Sequence, residues 1–432
     1  MKLCIIGTGY VGLVSGTCFA DIGNNVICVD VDRNKIQNLN SGIIPIYEPG
    51  LEEMVKRNIN QKRLKFSYDV NEAIKKSDII FICVGTPTIE KKNSVELKYV
   101  YQVANKIKSN LNKYKIIVTK STVPVTTGDK IESILKKNKY KSKYDVVSNP
   151  EFLREGEAIR DFVVPDRVVV GTESKKALKI MKSLYLPIIK KTTRFYSTSR
   201  RAAELIKYAS NAFLATKISF INEVANLCEL SNINIEDISV GMGLDQRIGD
   251  RFLRAGPGYG GSCFPKDTRA IVTLAKKYKT NLSIVNSVIK SNDNRSKILL
   301  KRILKISKNK VKNKIITFLG VTFKANTDDM RESPCLKLIP ALIKKGAKIN
   351  YYDPTGPKKE IEKFKNANFS KNVVDATKKA DLIIIHTEWN EFKQLNVKKI
   401  AKNKNVIFYD LRNIYSPEKM KINGIKYYGI GR

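Results

Sequence analysis

The amino terminus carries the pattern that most restricts what this chain can fold into. Residues 2–6 are a short apolar run that predicts a strand, and G-T-G-Y-V-G follows at 7–12. A helix-like run then continues through Ala20, and a second apolar run ends at Asp30. A strand, a G-x-G-x-x-G turn, a helix, a strand and an acid in this order are typical of a dinucleotide-binding βαβ unit. The pattern therefore predicts a Rossmann-like domain at the start of the chain.

Each glycine of this motif, and the acid that follows it, has a physical role. Gly7 permits the tight turn, Gly9 lets the backbone approach a pyrophosphate, and Gly12 lets the helix pack on the strand. Asp30 would accept hydrogen bonds from both ribose hydroxyls and repel a 2′-phosphate, which favours NAD over NADP. Lys35 follows this acid, either near the adenosine ribose or as a solvated helix lysine.

Further strand-like runs reach Pro87, Pro124 and Phe152, and each ends in Thr, Ser, Pro or Asn. In open α/β sheets, ligands bind at the carboxyl ends of the strands. We therefore expect Thr86 and Thr122 to contact the cofactor, although either could form an ordinary turn.

The segment N-P-E-F-L-R-E-G follows the third of these runs and places Glu151 and Glu155 four residues apart. Two acids at the ligand edge of a sheet suggest proton handling. The alternative is a solvated helix start, where the helix dipole favours glutamate.

A long helical pattern covers 199–230 and contains neither proline nor glycine. Glu204, Lys207 and Asn211 recur at i, i+3 and i+7, which places them on one helix face. That face could line a ligand cleft or carry exposed ion pairs. A helix of this length suits a spine between two domains and could also carry a dimer interface.

The stretch G-P-G-Y-G-G-S-C-F-P-K-D at 256–267 surrounds one cysteine with glycines and charges. Glycines let the backbone approach a ligand closely, and Lys266 could favour the thiolate of Cys263. Asp267 could move a proton or order a water. We interpret Cys263 as a nucleophile; the alternative is a glycine-rich turn in which the cysteine only packs. The chain has seven cysteines but no C-x-x-C pair, so neither a disulfide framework nor a zinc site is indicated.

From about Lys314 the strand-helix alternation of the first half returns without a G-x-G-x-x-G. Phe323, Lys324 and Arg331 follow its first strand, and Arg412 ends a later one. The expected fold is α/β, with two Rossmann-like doubly wound domains joined by a long central helix and a helical middle domain. We place the boundaries at 1–198, 199–300 and 301–432.

Composition restricts the class of function. The formal net charge is +38, from 79 Lys and Arg against 41 Asp and Glu. The basic residues are spread along the chain without a zinc finger or an aromatic RNA-binding pattern, so we expect no nucleic-acid partner. A basic surface would still attract an anionic substrate. The single histidine, His386, ends an apolar run and has no nucleophile elbow, which argues against a Ser-His-Asp hydrolase.

No apolar run reaches the roughly 18 residues that a membrane helix needs. The first residues lack the pattern of a secretory signal peptide. We therefore expect a cytoplasmic protein without a membrane partner.

Together these motifs resemble the UDP-glucose/GDP-mannose dehydrogenase family over essentially the whole length. The resemblance rests on G-T-G-Y-V-G-L, N-P-E-F-L-R-E-G, the helix segment from Glu204, G-P-G-Y-G-G-S-C-F-P-K-D, the segment around Lys324 and Arg331, and T-E-W-N-E-F, all in the family's order. It implies oxidation of a sugar primary alcohol to a carboxylate with two NAD molecules per sugar. Cys263 would capture the aldehyde as a thiohemiacetal, and water would hydrolyse the thioester formed next.

The resemblance also implies roles for individual residues. Catalysis would involve Cys263, with Lys207 and Asn211 bonding the developing oxyanion, and Thr122, Glu151 and Asp267 handling water. The cofactor would contact Gly7, Gly9, Tyr10, Val11, Gly12, Asp30, Lys35, Thr86, Thr122, Glu155, Lys266 and Arg331. The nucleotide sugar would contact Glu151, Phe152, Leu153, Arg154, Glu155, Lys207, Asn211, Arg247, Phe252, Leu253, Arg254, Ala255, Gly256, Gly260, Phe323, Lys324 and Arg412.

Arg247 resembles an arginine that reaches the partner subunit's substrate in some members, which implies a homodimer. The cysteine loop and T-E-W-N-E-F look most like the members that oxidise UDP-glucose to UDP-glucuronate. UDP-galactose-type sugars, UDP-N-acetyl-hexosamines and GDP-mannose remain alternatives. Two further classes stay open: a two-electron dehydrogenase with a structural Cys263, and a basic nucleic-acid-binding protein with a vestigial dinucleotide fold.

Overall fold

A computed structural model describes residues 1–89, 94–137, 143–189, 193–401 and 405–432. The chain divides into two compact units. The first comprises 1–210 with 269–279, and the second comprises 211–268 with 280–432. The three domain boundaries expected from the sequence stay predictions.

The first unit contains a large sheet with helices along its chain. The strands of this unit are β1 (Lys2–Ile6), β2 (Asn25–Val29), β3 (Leu64–Ser67), β4 (Ile79–Ile82), β5 (Thr88–Ile89), β6 (Ser94–Val95), β7 (Lys115–Thr119), β8 (Tyr144–Ser148), β9 (Arg167–Gly171) and β10 (Arg194–Thr198). Its helices before the central one are α1 (Tyr10–Asp21), α2 (Arg33–Asn40), α3 (Leu51–Asn60), α4 (Val70–Lys76), α5 (Lys98–Asn110), α6 (Thr127–Leu135), α7 (Ala158–Val163) and α8 (Lys175–Tyr185), which a short 3₁₀ turn (Leu186–Ile188) extends.

The order of strands in the first sheet is β10-β9-β8-β7-β4-β1-β2-β3, and β5 pairs with β6 apart from it. The large sheet is parallel except where β8 meets β9. Side chains alternate across the sheet, because Leu3 and Ile5 enter one apolar cluster and Cys4 and Ile6 enter another. A strand buried on both faces reads as a continuous apolar run, as residues 2–6 do.

Four helices follow: α9 (Arg200–Ser231), α10 (Ile235–Gly243), α11 (Phe264–Lys277) and α12 (Ser283–Ile306). The predicted central helix at 199–230 is thus confirmed as α9. This helix begins in the first unit and ends in the second.

The second unit contains the other large sheet. Its strands are β11 (Ile315–Leu319), β12 (Lys348–Tyr352), β13 (Ala367–Phe369), β14 (Leu382–Ile385), β15 (Ile407–Asp410) and β16 (Lys426–Gly429). The accompanying helices are α13 (Cys335–Lys344), α14 (Lys359–Glu362), α15 (Val373–Thr377), α16 (Asn390–Lys393), α17 (Val397–Ile400) and α18 (Pro417–Ile422).

All strand pairs of the second sheet are parallel, in the order β13-β12-β11-β14-β15-β16. This is the Rossmann order 3-2-1-4-5-6, and the first sheet has it too along β3-β2-β1-β4-β7-β8. The predicted α/β class with two doubly wound sheets is confirmed. The sequence reading did not identify β9 and β10, which extend the first sheet beyond that order.

The predicted strand ends need adjustment. The runs expected to reach Pro87, Pro124 and Phe152 are strands only as far as Ile82, Thr119 and Ser148. The remaining residues of each run form loops at the carboxyl edge of the first sheet, which is where ligands bind in such folds.

Among the described residues, the search for a helix long and apolar enough to cross a bilayer finds none. The cytoplasmic location stays a prediction.

Candidate active site

The three glycines of the first turn each occupy a different environment. Gly7 has φ +101°, and a Cβ there would lie 2.8 Å from the carbonyl oxygen of Cys83. A Cβ on Gly12 would lie 1.8 Å from the carbonyl oxygen of Gly7, so helix α1 can pack this closely only on a glycine. A Cβ on Gly9 would meet nothing within 4 Å. The backbone at Gly9 therefore borders open space, as an approach to a pyrophosphate requires.

Helix α1 begins at Tyr10, followed by Val11, and no side chain caps its amino terminus. Its first backbone N–H groups are thus left to a ligand or to water. Such a terminus favours a phosphate through both hydrogen bonds and the helix dipole. The residues present at this edge fit a dinucleotide.

Asp30 lies at the end of β2 beside this turn. Its Oδ2 accepts hydrogen bonds from Thr8 N at 2.9 Å and Thr8 Oγ1 at 2.6 Å. Lys35 Nζ lies 3.1 Å from the same oxygen. Burial raises the pKa of Asp30, but these bonds and one from Asp32 N outweigh it and leave the pKa below the ordinary value. The Asp30 carboxylate is therefore ionised and is fixed in position by Thr8 and Lys35.

Thr86 and Thr122 lie on the loops after the adjacent strands β4 and β7. Thr86 Oγ1 donates to the carbonyl oxygen of Thr122 at 3.1 Å. The structure thus brings together two of the predicted cofactor residues.

A buried ion pair connects the N-P-E-F loop to helix α9. Lys207 Nζ lies 2.9 Å from Glu151 Oε1, and both side chains are only 4% exposed. The other oxygen of Glu151 accepts from Leu153 N at 2.6 Å. Lys207 Nζ also lies 5.4 Å from the centre of the Phe152 ring, which Arg167 covers at 3.9 Å. Two predicted catalytic residues therefore meet directly in the first unit.

The rest of this loop is arranged by its own contacts. Arg154 is exposed and bonds Asp161 through two guanidinium nitrogens, at 2.9 and 2.7 Å. Burial and the neighbouring Glu48 carboxylate raise the pKa of the Tyr10 hydroxyl, and the half-buried Glu155 adds a smaller rise.

The Glu204 carboxylate on α9 is buried, and its oxygens accept hydrogen bonds from three other residues of the first unit. Its carboxylate accepts from Thr126 N and Gly128 N at 2.8 Å each, and from Ser148 Oγ at 3.3 Å. Burial raises the pKa of Glu204 to about 7, against these stabilising bonds. Glu204 ties α9 to the loop that follows Thr122, a role the spacing i, i+3, i+7 did not reveal.

In the second unit, Cys263 is half-buried and immediately precedes helix α11. Helix amino termini favour a thiolate. Asp267, one turn into this helix, is fully buried and accepts from Asn211 Nδ2 at 2.6 Å. Lys266 Nζ lies 2.5 Å from the other oxygen of Asp267. The ammonium group that the sequence suggested for the Cys263 thiolate is therefore ion-paired with Asp267.

The glycine loop packs closely on the segment after β11. A Cβ on Gly260 would lie 2.4 Å from the carbonyl oxygen of Glu332, and one on Gly261 would lie 2.8 Å from the ring of Phe323. Gly261 N also donates to the carbonyl oxygen of Arg331 at 2.8 Å. The Arg331 side chain itself is 63% exposed and pairs with Asp329. The cysteine loop and this segment thus form one assembly.

Arg412 joins this assembly through the backbone. It donates from Nε to His386 O at 2.9 Å and from Nη2 to Phe323 O at 2.7 Å. A Cβ on Gly256 would lie 3.6 Å from Arg412 Nη1. Lys324, half-buried, follows Phe323. His386 is fully buried, which lowers its pKa to about 3 and agrees with a structural role.

Three residues that sequence reasoning missed hold the glycine loop from the helix side. Asn222 Oδ1 accepts from Gly256 N at 2.8 Å, and Arg295 Nε donates to Gly256 O at 3.0 Å. Asn292 exchanges two hydrogen bonds with the backbone of Tyr259, at 2.9 and 3.0 Å. Their partners lie at least 33 residues away along the chain, so no local pattern could identify them.

The segment before the glycine loop is less uniform. Phe252 has φ +67°, Leu253 and Ala255 are buried, and Arg254 is exposed. Arg247 is 89% exposed and is bonded to Asp245. The Arg247 guanidinium bonds both carboxylate oxygens of Asp245, two residues before it.

The NAD binding, central and UDP binding domains of the UDP-glucose/GDP-mannose dehydrogenase family match residues 1–189, 201–294 and 317–417, respectively. The chain belongs to this family. The NAD binding domain of the family covers the glycine turn and Asp30, so NAD is the cofactor of this dehydrogenase.

Several similar proteins span the full chain. A UDP-glucose 6-dehydrogenase of Rhizobium meliloti is 45% identical, with 100% of both chains covered. UDP-glucose 6-dehydrogenase TuaD of Bacillus subtilis is also 45% identical, over 100% of this chain and 93% of its own.

Solved structures give the same family. A UDP-glucose dehydrogenase of Pyrobaculum islandicum is 32% identical with a TM-score of 0.89, covering 99% of this chain and 97% of its own. A UDP-D-ManNAc dehydrogenase of Pyrococcus horikoshii is 26% identical with a TM-score of 0.85, covering 100% and 99%. Relatives with different sugars therefore share this fold.

Proposed function

We propose that this dehydrogenase oxidises UDP-glucose to UDP-glucuronate, with two NAD reduced per sugar. The observation that carries the proposal is the position of Cys263, half-buried at the start of α11 and four residues before the buried Asn211–Asp267–Lys266 cluster. A simple two-electron dehydrogenase has no need of a nucleophile. The relatives at 45% identity, named for UDP-glucose, favour that sugar.

The bonds made and broken follow from a thiolate nucleophile. Oxidation of the C6 alcohol gives an aldehyde, and Cys263 Sγ adds to its carbonyl carbon to form a thiohemiacetal. Loss of a second hydride and a proton gives a thioester on Cys263. Water then adds to the thioester carbonyl, the C–S bond breaks, and the carboxylate and the free thiol are released. When bound, NAD supplies the hydride acceptor for both oxidations.

Charged residues of the chain would stabilise and move protons in these steps. Lys207 and Asn211 lie four residues apart on α9, so one face of the helix offers an ammonium and an amide donor. We assign them to the oxygen that becomes negative when sulfur or water adds. Glu151 contacts Lys207 and Asp267 contacts Asn211, and either carboxylate can accept a proton from a water. Thr122 would position that water.

The residues at the first turn of the first sheet fit the cofactor. Gly9 leaves the backbone open, the first turn of α1 has no side-chain cap, and Asp30 is ionised. The remaining predicted contacts, Thr86, Glu155, Lys266 and Arg331, stay proposals. The nucleotide-sugar contacts likewise stay proposals, with the glycine loop, Phe323 and Arg412 best supported because they are packed together.

NADH stoichiometry with limiting UDP-glucose and excess NAD tests this function. We expect about two NADH per sugar, as the four-electron reaction requires. One NADH per sugar would exclude the covalent mechanism, and none would exclude UDP-glucose as the substrate.

A second candidate is the same chemistry on an N-acetylated sugar, because a UDP-D-ManNAc dehydrogenase shares the fold over its whole length. A panel of UDP-glucose, UDP-galactose, UDP-N-acetyl-hexosamines and GDP-mannose at equal concentration separates the two. We expect the highest kcat/KM with UDP-glucose.

The homodimer is supported by an apolar stripe on the second-unit part of α9. Phe213, Phe220 and Leu227 recur every seven residues and are 66%, 50% and 64% exposed. A seven-residue apolar repeat on an exposed helix face is typical of helix pairing. We propose that two copies of this chain pair through this stripe, and that Arg247 then reaches the partner's substrate.

Light scattering after size-exclusion chromatography tests the pairing. Phe220→Glu should shift the mass from dimer to monomer, because it places a charge in the centre of the stripe. Lys344→Glu, an exposed charge reversal on α13, should leave the mass unchanged. A wild-type mass of one chain would overturn the proposal.

A further inference from the structure

A buried glutamate outside the predicted site connects three segments of the first unit. Glu48 is 7% exposed and precedes helix α3. It opens a turn in which Leu51 N donates to Glu48 O at 3.1 Å, with Pro49 and then Gly50 at φ +80° between them. This is the sequence and geometry of a type II turn. The turn fixes the direction in which the Glu48 side chain leaves the backbone.

The carboxylate of Glu48 is fully engaged. Its Oε1 accepts from Ala158 N at 2.7 Å and from Ile159 N at 3.4 Å. Its Oε2 accepts from Gly156 N at 2.6 Å and from the hydroxyl of Tyr10. The Tyr10 hydroxyl also accepts from Gly156 N at 2.8 Å. One acid therefore holds the end of the N-P-E-F-L-R-E-G loop and the first residue of α1 together.

Both segments belong to the ligand-binding edge of the first sheet. Tyr10 starts the helix whose amino terminus faces the dinucleotide phosphates, and the loop carries Glu151 and Glu155. We propose that Glu48 is a positioning residue for NAD, which sets the position of this loop against the first turn of α1. The effect on NAD follows from the family's cofactor alone; its consequence for Glu151 rests on the proposed function.

Glu48→Gln is a sharp test, because it keeps the shape of the side chain. Each carboxylate oxygen accepts from a backbone N–H, so either orientation of the amide places an NH₂ against an N–H that cannot turn away. Hydrogen bonds to a charged acceptor contribute more than neutral ones. We expect the Kd for NAD, measured by calorimetry without substrate, to rise at least tenfold.

A rise in the Kd for NAD that comes from lower overall stability must be distinguished from one that comes from displacement of the loop that Glu48 holds. Val55→Ala removes volume from the buried face of α3 without touching the contacts of Glu48, so it supplies a variant of lowered Tm. It should bind NAD with the wild-type Kd at a temperature where it is folded. Glu53→Gln, an exposed neighbour on the same helix, controls for the change of charge.

Tyr10→Phe provides a second variant if Glu48→Gln does not fold. It removes the contact to α1 and keeps the bonds from Glu48 to the loop, so we expect a smaller rise in Kd. The double variant should be less impaired than the product of the single effects, because both changes break the same connection.

The inference is overturned if Glu48→Gln, or Tyr10→Phe in its place, binds NAD with the wild-type Kd, or if Val55→Ala weakens NAD as much as they do. Because these measurements use NAD alone, they stand even if UDP-glucose is not the substrate. Turnover of UDP-glucose by the wild type decides that question separately.

Discussion

The two large sheets share one arrangement of hydrogen bonds at the turn after their first strand, but the aspartate beside that turn is buried in one sheet and partly exposed in the other. Gly7 N donates to Val29 O, and Gly320 N donates to Tyr352 O, each at 2.8 Å. Both glycines have positive φ. In each sheet the residue that follows the second strand is an aspartate that accepts from the turn after the first strand: Asp30 from Thr8, and Asp353 from Val321 and Thr322.

The surroundings of the two acids differ. Asp353 is 1% exposed, and its second oxygen accepts from Thr355 N at 3.0 Å and Thr355 Oγ1 at 2.6 Å. Both of its oxygens are therefore occupied by protein donors. Both oxygens of Asp30 also accept protein hydrogen bonds, Oδ2 from Thr8 and Oδ1 from Asp32 N at 3.2 Å. Asp30 differs in being only half-buried, and the side chain of its partner Lys35 is 28% exposed. An aspartate thus holds the turn in both sheets, but only Asp30 is partly exposed, and this exposed side is the one that we propose binds a ribose.

The connection that follows the turn also differs. In the first sheet α1 begins at Tyr10, three residues after Gly7, and no side chain caps its amino terminus. In the second sheet 14 residues, 321–334, intervene before α13 begins at Cys335. That insertion carries Phe323 and Arg331, which pack against the glycine loop of Cys263. The first connection leaves a helix amino terminus uncapped, which suits the proposed phosphate binding, and the second packs on the loop of Cys263, the proposed nucleophile.

The largest expected effect that tests this comparison is at Cys263, the proposed nucleophile. Cys263→Ser should lower steady-state NADH formation at least about a thousandfold, roughly 4 kcal/mol in activation free energy, because a serine hydroxyl is a much weaker nucleophile than a thiolate. The Kd for NAD, which the first sheet determines, should be unchanged. Stopped-flow absorbance at 340 nm with calorimetry measures both.

Cys228→Ala removes a buried thiol from α9 and should keep full turnover. If Cys263→Ser retains more than a tenth of wild-type turnover, the second unit does not supply the chemistry.

Local sequence predicted both sheets, but it identified the acid after the second strand only in the first sheet. Gly7 to Asp30 form a contiguous motif with one meaning, and α9 is a long uninterrupted pattern. Asp353 ends an equally clear strand, but without G-x-G-x-x-G nothing in the sequence marked it as the counterpart of Asp30. Glu48 could not be found at all, because its partners Gly156 and Ala158 lie 108 and 110 residues away.

The next largest effect concerns Asp353, the buried acid of the second sheet. Asp353→Asn should lower the free energy of unfolding by about 3 kcal/mol, because an amide NH₂ would face backbone and hydroxyl donors in a buried site. NAD affinity should remain that of the wild type. Urea denaturation followed by circular dichroism measures the loss. A stable variant with weakened NAD binding would reverse the assignment of the two acids.

The first unit also has a buried carboxylate, Glu204, and its raised pKa makes the free energy of unfolding depend on pH. Its pKa is about 7 in the folded state and ordinarily near 4.5, so folding favours the protonated form. That stabilisation is complete below about pH 4.5 and is lost as the pH rises through 7. Relative to Glu204→Gln, the wild type should lose about 2 kcal/mol of unfolding free energy between pH 5 and pH 7. A wild type that gains stability relative to Glu204→Gln over this range would show that the three hydrogen bonds outweigh burial.

The smallest expected effect concerns Asp30, the partly exposed acid of the first sheet. Asp30→Asn should raise the Kd for NAD about tenfold, about 1.4 kcal/mol, because the ribose loses a charged acceptor. The Kd for NADP should rise less or fall, since the carboxylate that repels a 2′-phosphate is gone. The loss of stability should be smaller than for Asp353→Asn, because water can replace a ligand at the accessible side of Asp30. If the ratio of the two dissociation constants is unchanged in Asp30→Asn, then the open acid does not read the ribose, and the difference between the two sheets lies in the glycine turn alone.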